Sequence, residues 1–466
     1  MNLRAVKLPH TLVLIYAMVC LVALATWIVP GGEYQRVERD GRLVPVADSY
    51  QIVARRPQGL AALFISPIRG FADAANIIAF VLLMGGVFTV VQKTGAVNAG
   101  IQSLSERFGR RKALQALFIP VTMVIFSLGG AVFGMCEETM PFILVFVPLA
   151  LSLGYDTITG VAIPFVGAAS GFAGAFFNPF TVGIAQGIAG LPLYSGLGYR
   201  LVVWAVGTAI AIVVVSRYAA RVRRDPRRSL CYEQDEARRH ELALDTAAAE
   251  RTAVTGTHKA VLVLFLLGMV LLVFGILKLK WYINEIAGLF LALGLLAGLI
   301  GRLRGDDIAR SFVEGAKDMV NTALIIGCAR ALLVVATDGK ILDTTLHAMA
   351  GAIAGFHPVL SAQLMFVSQC VINFFVHSGT AQAALTMPIM APLGDLVGIT
   401  RQTSVFAFQL AEYINPILPT SGVTMGVLGL AKLGWDKWAR WILPLVAIWV
   451  GFAFLSLVLP VLTHWK

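Results

Sequence analysis

Charge is what this chain has least of. Only 14% of its 466 residues are Asp, Glu, Lys or Arg, whereas 58% are hydrophobic and the mean hydropathy is +0.79. Soluble domains carry about 25% charged residues, so a water-soluble globular chain is excluded. Cysteine is scarce as well. Cys20, Cys136, Cys231, Cys328 and Cys370 show no CxxC or metal-ligand spacing, and four of them fall in apolar runs as small hydrophobes. No Walker A, HExxH or GxSxG motif occurs, which argues against direct use of ATP and against an enzyme. The apolar runs do not alternate with polar residues, which excludes a membrane β-barrel.

What the chain has instead is apolar runs of about 18–20 residues, repeated many times, each long enough to cross a ~30 Å hydrocarbon core as a helix. The fold class expected is an all-α polytopic membrane protein. The first run, "TLVLIYAMVCLVALATWIVP", lacks a small-x-small cleavage site and reads as a retained span. The net charge of +11 lies mostly in loops, so it reports orientation in a bilayer rather than a nucleic-acid partner.

The one long polar segment in mid-chain, Arg217 to Lys259, is rich in arginine and separates two hydrophobic halves. The positive-inside rule places it in the cytoplasm, as a mobile or loosely helical linker. Residues 1–216 then form a first transmembrane repeat, 217–259 the linker, 260–280 a connecting span and 281–466 a second repeat. Arg4 and Lys7 put the N-terminus in the cytoplasm. Residues 31–56 lie outside, with a strand-turn-strand at "EYQRVERDGRLVPV" that turns near Asp40-Gly41, and "SERFGRRK" (Ser105 to Lys112) lies inside.

The halves share a pattern. "TMP" occurs at Thr139 and Thr386, "NPFTVG" at Asn178 and "NPILPTSG" at Asn415, and "KTGAVNAGI" from Lys93 matches "TDGKILDTT" from Thr337, all offset by about 240 residues. One extra span between the copies inverts the second, the arrangement of secondary transporters with a site at the repeat interface. Each "TMP" then begins the second arm of a re-entrant hairpin whose tip is made of small residues: Gly129, Gly130 and Gly134 in one copy, Ser378, Gly379 and Thr380 in the other. Non-helical backbone at that depth survives only if buried or wet. Arms starting near Glu138 and Ala384 point helix N-termini at the tips, which favours anions. Breaks at Asn178-Pro179 and Asn415-Pro416 free carbonyls for cations.

Four charges fall deep in apolar runs: Glu137, Glu138, Arg330 and Glu412. Each costs ~2.5–3.5 kcal/mol at the bilayer centre if unpaired. Pairing, water or a bound cation must offset that cost. Helix capping could hold Glu137 and Glu138, a freed backbone group could hold Glu412, and an ion pair could hold Arg330. Against those readings stands a substrate site comprising Glu137, Glu138, Asn178, Arg330, Ser378, Gly379, Thr380, Gln382, Glu412 and Asn415. Coupling-ion ligands are expected from Gly134, Asn178, Thr181, Asn373, Asn415, Thr420 and Ser421, the ion being Na⁺ or H⁺, with no other metal and no cofactor. His377 at the second tip reads as a neutral hydrogen-bonding group, and Gln409 as a further amide oxygen.

At "FSLGGAVFGMCEETMPF", "FFNPFTVGIAQGIAGLPLYSGLGYR" and "SGTAQAALTMPIMAPLGDLVGITRQTSVFAFQ" the chain resembles the YfcC-type membrane transporters, relatives of the anaerobic four-carbon dicarboxylate carriers within the ion-transporter superfamily. The resemblance covers nearly the whole chain. It implies a carrier of the bacterial inner membrane, with two hairpins and two broken helices, assembled as a homodimer and described as a basic amino-acid antiporter. Two departures stand out: Glu412 in "AEYIN" where the family commonly has Asp, and "HSGTAQA" where it commonly has "TSGSGQA", which makes His377 and Thr380 unusual. The function expected is a secondary transporter, symporter or exchanger, for a small amino-acid-type substrate, best a basic amino acid. A Na⁺- or H⁺-coupled carboxylate, dicarboxylate or short-peptide carrier is the alternative, with the glutamates serving only the ion. A channel and a membrane-embedded enzyme are the competing classes.

Overall fold

A computed structural model describes residues 10–39, 42–46, 48–97, 99–100, 112–239, 255–279, 281–353 and 355–465. The first half runs α1 (Thr11–Ile28), strands β1 to β4 between Gly31 and Val53, α2 (Leu60–Asp73), α3 (Ala75–Lys93), α4 (Lys112–Phe133), α5 (Met140–Ser152), α6 (Thr157–Ala173), α7 (Ile184–Ala189) and α8 (Leu197–Arg224). Then follow α9 (Gly256–Leu279), α10 (Ile283–Ile300), α11 (Gly305–Asp318), α12 (Val320–Asp338), α13 (Leu342–Ile353), α14 (Pro358–Phe375), α15 (Gly379–Leu396), α16 (Arg401–Leu410), α17 (Gly422–Leu430), α18 (Trp435–Ser456) and α19 (Val458–Leu462). Among the described residues, 7 helices are long and apolar enough to cross a membrane: α1, α3, α8, α10, α12, α14 and the α18–α19 unit. Chains of this kind, with exposed Leu, Val, Ile and Phe along the outward helix faces, bury their backbone polar groups within each helix because lipid offers no partner.

Two helix groups make up the molecule. In one, α2 packs on α12 and α11 on α3, while α1 lies on α12 and α10 on α3. In the other, α4, α6 and α8 pack together, α14 and α16 pack on each other, and α7 rests on α15. Small residues let these backbones close up. A Cβ on Gly171 would sit 1.8 Å from the Ser127 carbonyl oxygen, and one on Gly130 would sit 2.2 Å from that of Ala168, the small-residue contact that membrane helices use in place of a hydrophobic drive. Each half carries two interruptions in its helices, at residues 134–139 and 174–183 in the first and at 376–378 and 411–421 in the second.

Loops that the charge pattern assigns to one side meet one another. On the arginine-bearing end, Lys432 pairs with Asp318 at 2.7 Å. The segment after α8 docks there. Asp235, 1% exposed, accepts hydrogen bonds from the Thr157 amide (3.0 Å) and hydroxyl (2.5 Å). Arg238 donates to the Thr157 hydroxyl (2.9 Å) and the Ala431 carbonyl (3.0 Å). Thus α8 runs on to Arg224 instead of ending near Arg217, and residues 225–239 are held by buried carboxylates rather than hanging free. The rest of the expected linker, residues 240–254, lies outside the described residues, as do residues 105–111 of "SERFGRRK".

At the opposite end β1 (Gly31–Glu33) pairs with β4 (Gln51–Val53) and β2 (Arg36–Arg39) with β3 (Arg42–Pro45). The β2–β3 register ends on Arg39 opposite Arg42; the expected turn at Asp40-Gly41 lies outside the described residues. This cap is pinned to α13. Arg36 pairs with Asp343 at 2.8 Å, Lys340 donates to Glu33, and Tyr50 stacks on His347 with centroids 3.9 Å apart. The Lys340 hydrogen bond holds the Glu33 carboxyl below the usual 4.5, against a burial effect of opposite sign. A carboxyl lowered by folding contributes stability that is present above its ordinary range and lost as pH falls through the lowered value. The melting temperature of Lys340→Met in detergent is therefore expected to lie below wild type at pH 7. The gap should close as pH falls below about 4, and a gap unchanged down to pH 3 would remove this contact from the account.

Candidate functional site

The helices on either side of the first interruption stop for readable reasons. α4 ends at Phe133 because Gly134 takes φ +75°, a region that costs glycine nothing. The chain then turns through Met135 and Cys136 into one 3-10 turn, Glu137–Thr139, and α5 starts at Met140 with Pro141 in its first turn. Glu138, 6% exposed, accepts from the Cys136 amide at 2.8 Å, so one of the paired glutamates also fixes its own turn. In the second half α14 ends at Phe375 and Ser378 caps α15, its Oγ accepting from the Ala381 amide at 3.4 Å. The second arm therefore begins at Gly379 rather than near Ala384. Thr386-Met387-Pro388 falls inside α15, whereas Thr139-Met140-Pro141 straddles the start of α5. A capping serine, not the shared tripeptide, sets where the arm starts.

The broken segments lie against these turns. Asn178 accepts from the Phe180 amide at 2.9 Å and opens one π turn, Pro179–Gly183, before α7. Ala411–Ile417 forms a 3-10 stretch, and Ser421 caps α17 by accepting from the Thr424 amide at 3.3 Å. Contacts cross between the halves. The Thr380 hydroxyl donates to the Phe180 carbonyl at 2.9 Å, and Gln409 donates to the Phe172 carbonyl. Within the second half His377 Nε2 and Thr420 Oγ1 are hydrogen-bonded at 2.6 Å, consistent with the hydrogen-bonding histidine read from sequence.

These pieces enclose a cavity of about 450 Å³, inside the ~300–1,000 Å³ range of small-molecule sites. Of the residues expected there, Gly134, Glu137, Glu138, Thr181, Arg330, His377, Ser378, Gly379, Thr380, Asn415, Thr420 and Ser421 line it. Four do not. Gln382 turns inward and donates to the carbonyl and side-chain oxygens of Gln369, both at 2.9 Å, tying α15 to α14. Asn178 and Asn373, both 0% exposed, lie behind the wall. Glu412 borders a void of about 30 Å³ beside the cavity, and its Oε2 accepts from Asn415 Nδ2 at 2.5 Å. Its Oε1, the Thr181 hydroxyl, the Asn415 Oδ1 and both Asn373 amide atoms are buried without a partner among the described residues.

The wall carries three carboxylates, Asp73, Glu137 and Glu138, and one guanidinium, Arg330. Arg330 makes no ion pair among the described residues, and its Nε is buried without a hydrogen-bond partner. Asp73, Tyr282, Phe172 and Phe180 were not anticipated. Asp73 had a signal: it is the only acid between Asp48 and Glu106. Tyr282 had a weaker one, since it precedes α10 and its amide donates to Glu285 at 3.0 Å, the helix-start half of a capping box.

Gly379 is one of the places where the halves touch closely. A Cβ there would meet the Thr181 methyl at 2.5 Å and Glu412 Oε1 at 3.2 Å, whereas one on Gly187 would meet nothing within 4 Å. Gly379→Ala is expected to cut substrate uptake by about tenfold or more, the equivalent of roughly 1.4 kcal/mol, with normal membrane insertion. Gly187→Ala should leave uptake within about twofold. Equal uptake by both variants would contradict the packing described.

The sequence pattern of the family described as "C4-dicarboxylate anaerobic carrier" matches residues 8–462. The chain is 38% identical over 477 residues, 94% of its length and 93% of the relative's, to the Escherichia coli protein named "Putative basic amino acid antiporter YfcC". It is 26% identical to an uncharacterized protein of Haemophilus influenzae, across 98% of each chain. Among solved structures, the Alcanivorax borkumensis YdaH transporter aligns over 98% of this chain and 99% of that one, at 14% identity and a TM-score of 0.44. The Neisseria gonorrhoeae antimetabolite efflux pump MtrF aligns over 98% and 96%, at 17% identity and a TM-score of 0.41. With its apolar crossing helices and a family match from end to end, the chain belongs to the C4-dicarboxylate anaerobic carrier family of membrane transporters.

Proposed function

We propose that this transporter is a secondary carrier for a small amino-acid-type substrate, best a basic amino acid, held in the cavity between the two helix groups. The observation that carries the reading is the unpaired Arg330 facing the same cavity as Glu137 and Glu138. A guanidinium without an internal anion is matched by a substrate carboxylate, which it can bind through two parallel hydrogen bonds. Carboxylates without an internal cation are matched by an amine. A basic amino acid carries one carboxylate and two cations, which complements one arginine and the acids Asp73, Glu137 and Glu138.

The paired interruptions of the two halves and the crossed packing of α2 on α12 and α11 on α3 support an inverted repeat with two re-entrant hairpins. Arg330 and Asp73 belong to one helix group, the hairpin tips and broken segments to the other. Relative movement of the groups would open the cavity to either side in turn. The unpartnered oxygens of Thr181, Asn415 and Glu412 suit a hard cation such as Na⁺, and Glu412 suits a proton, so the substrate is coupled to one of these. The N-terminus lies in the cytoplasm on the charge pattern, the protein sits in the bacterial inner membrane, and a homodimer is its working form.

A second reading has its own support. Arg330 and the family's carboxylate-carrying description fit a mono- or dicarboxylate, with Glu137, Glu138 and Glu412 serving only the ion. Uptake into proteoliposomes separates the two. Arginine, lysine and ornithine are expected to compete with one another, and Glu137→Gln, Glu138→Gln and Glu412→Gln each to abolish uptake while the protein still inserts. Arg330→Met should raise the KM for amino acid by about tenfold or more. Competition by a dicarboxylate but by none of the three amino acids would establish the second reading. Full activity in all three glutamine variants would remove the acids from either.

A further inference from the structure

One corner of the cavity pairs a carboxylate with two open aromatic faces. Tyr282 and Phe180 both line the cavity, with ring centroids 6.3 Å apart and planes inclined at 38°. They keep 53% and 38% of their surface exposed, so their faces are available to a ligand. Tyr282 immediately precedes α10, which packs on the Glu137–Thr139 turn, and Glu137 lines the same cavity. Phe180 is fixed from behind, its amide bonded to Asn178 and its carbonyl to Thr380. Beside it, Thr181 is 0% exposed, lines the same cavity and has a hydroxyl without a partner.

We propose that Tyr282 and Phe180, which line the cavity together with Glu137, are specificity-determining residues that select a planar guanidinium over a compact ammonium at the cationic end of the substrate. The inference rests on the amino-acid reading above and narrows it to guanidinium-bearing substrates. A guanidinium is flat and weakly hydrated, stacks on an aromatic face and still offers a fork of N–H donors to a carboxylate at its edge. A primary ammonium is a compact, strongly hydrated point charge that gains less from a ring. Glu137 serves both cations; the rings distinguish them. If the rings merely packed the rim, their loss would weaken both substrates alike.

The test is transport of arginine and ornithine by the full-length protein in proteoliposomes. Wild type is expected to favour arginine in kcat/KM. In Tyr282→Leu and in Phe180→Leu the arginine-to-ornithine ratio should fall by about 3–10-fold, mainly through the KM for arginine. Tyr282→Phe keeps the ring and should hold the ratio within about twofold of wild type, whatever it does to turnover. Should one leucine variant fail to insert, the other carries the test. Unchanged ratios in both leucine variants, with both substrates still transported, would overturn the inference and leave the amino-acid reading standing. Failure of wild type to move either substrate would overturn both.

Discussion

The constraint on which the rest depends is that polar backbone cannot be left without partners at depth in a bilayer. Each unmet group costs several kcal/mol there. This chain interrupts its helices in the middle of both halves, at residues 134–139, 174–183, 376–378 and 411–421. The interruptions answer one another. Thr380 of the second turn satisfies Phe180 in the first broken segment, Gln409 satisfies Phe172, and His377 binds Thr420. Asn178, Ser378 and Ser421 close their own turns. Two of these contacts, Thr380 to Phe180 and Gln409 to Phe172, join the halves at the cavity.

Electrostatics follows from the same geometry. Outside the cavity Arg36 pairs with Asp343, Arg401 with Asp395 and Lys432 with Asp318. The guanidinium of Arg330 and the Glu137 carboxylate instead face the cavity. Buried ionic groups kept without partners are functional by default in a membrane protein. On the proposed reading, their placement on two helix groups would tie binding to the relative position of those groups. The packing of α4 and α8 is held by its own polar cluster, in which Trp204 and Thr208 bond Ser127 at 2.9 and 2.7 Å. That cluster lets the group act as one body.

Much of this was legible in the sequence, because charge in an apolar run is expensive and therefore informative. Glu137, Glu138, Arg330 and the polar tip around Ser378 stand out on that ground alone, and the Asn-Pro pairs mark the breaks. Polar amides were harder to place. Gln382 and Asn373 lie on helices where neighbouring positions face different ways, and only packing shows that one braces Gln369 and the other is enclosed. Tyr282 and Phe180 were missed because aromatics are ordinary in such chains, and only their sharing of the cavity wall with Glu137 singles them out. Asp73 was passed over because it falls at the junction of α2 and α3, which reads as a loop before the span. The docking of residues 225–239 was equally hidden: an arginine-rich stretch looks solvated until Asp235 and Thr157 are seen together.

The central claim is that the second turn and the first broken segment touch within the membrane. Cysteines at positions 180 and 380, in a background lacking the five native ones, test it in native membranes. The account predicts that the pair joins with a short bis-thiol reagent, that joining stops transport, and that cleaving the reagent restores it. Failure to join with any reagent spanning up to about 10 Å, in a variant that still transports, would contradict it.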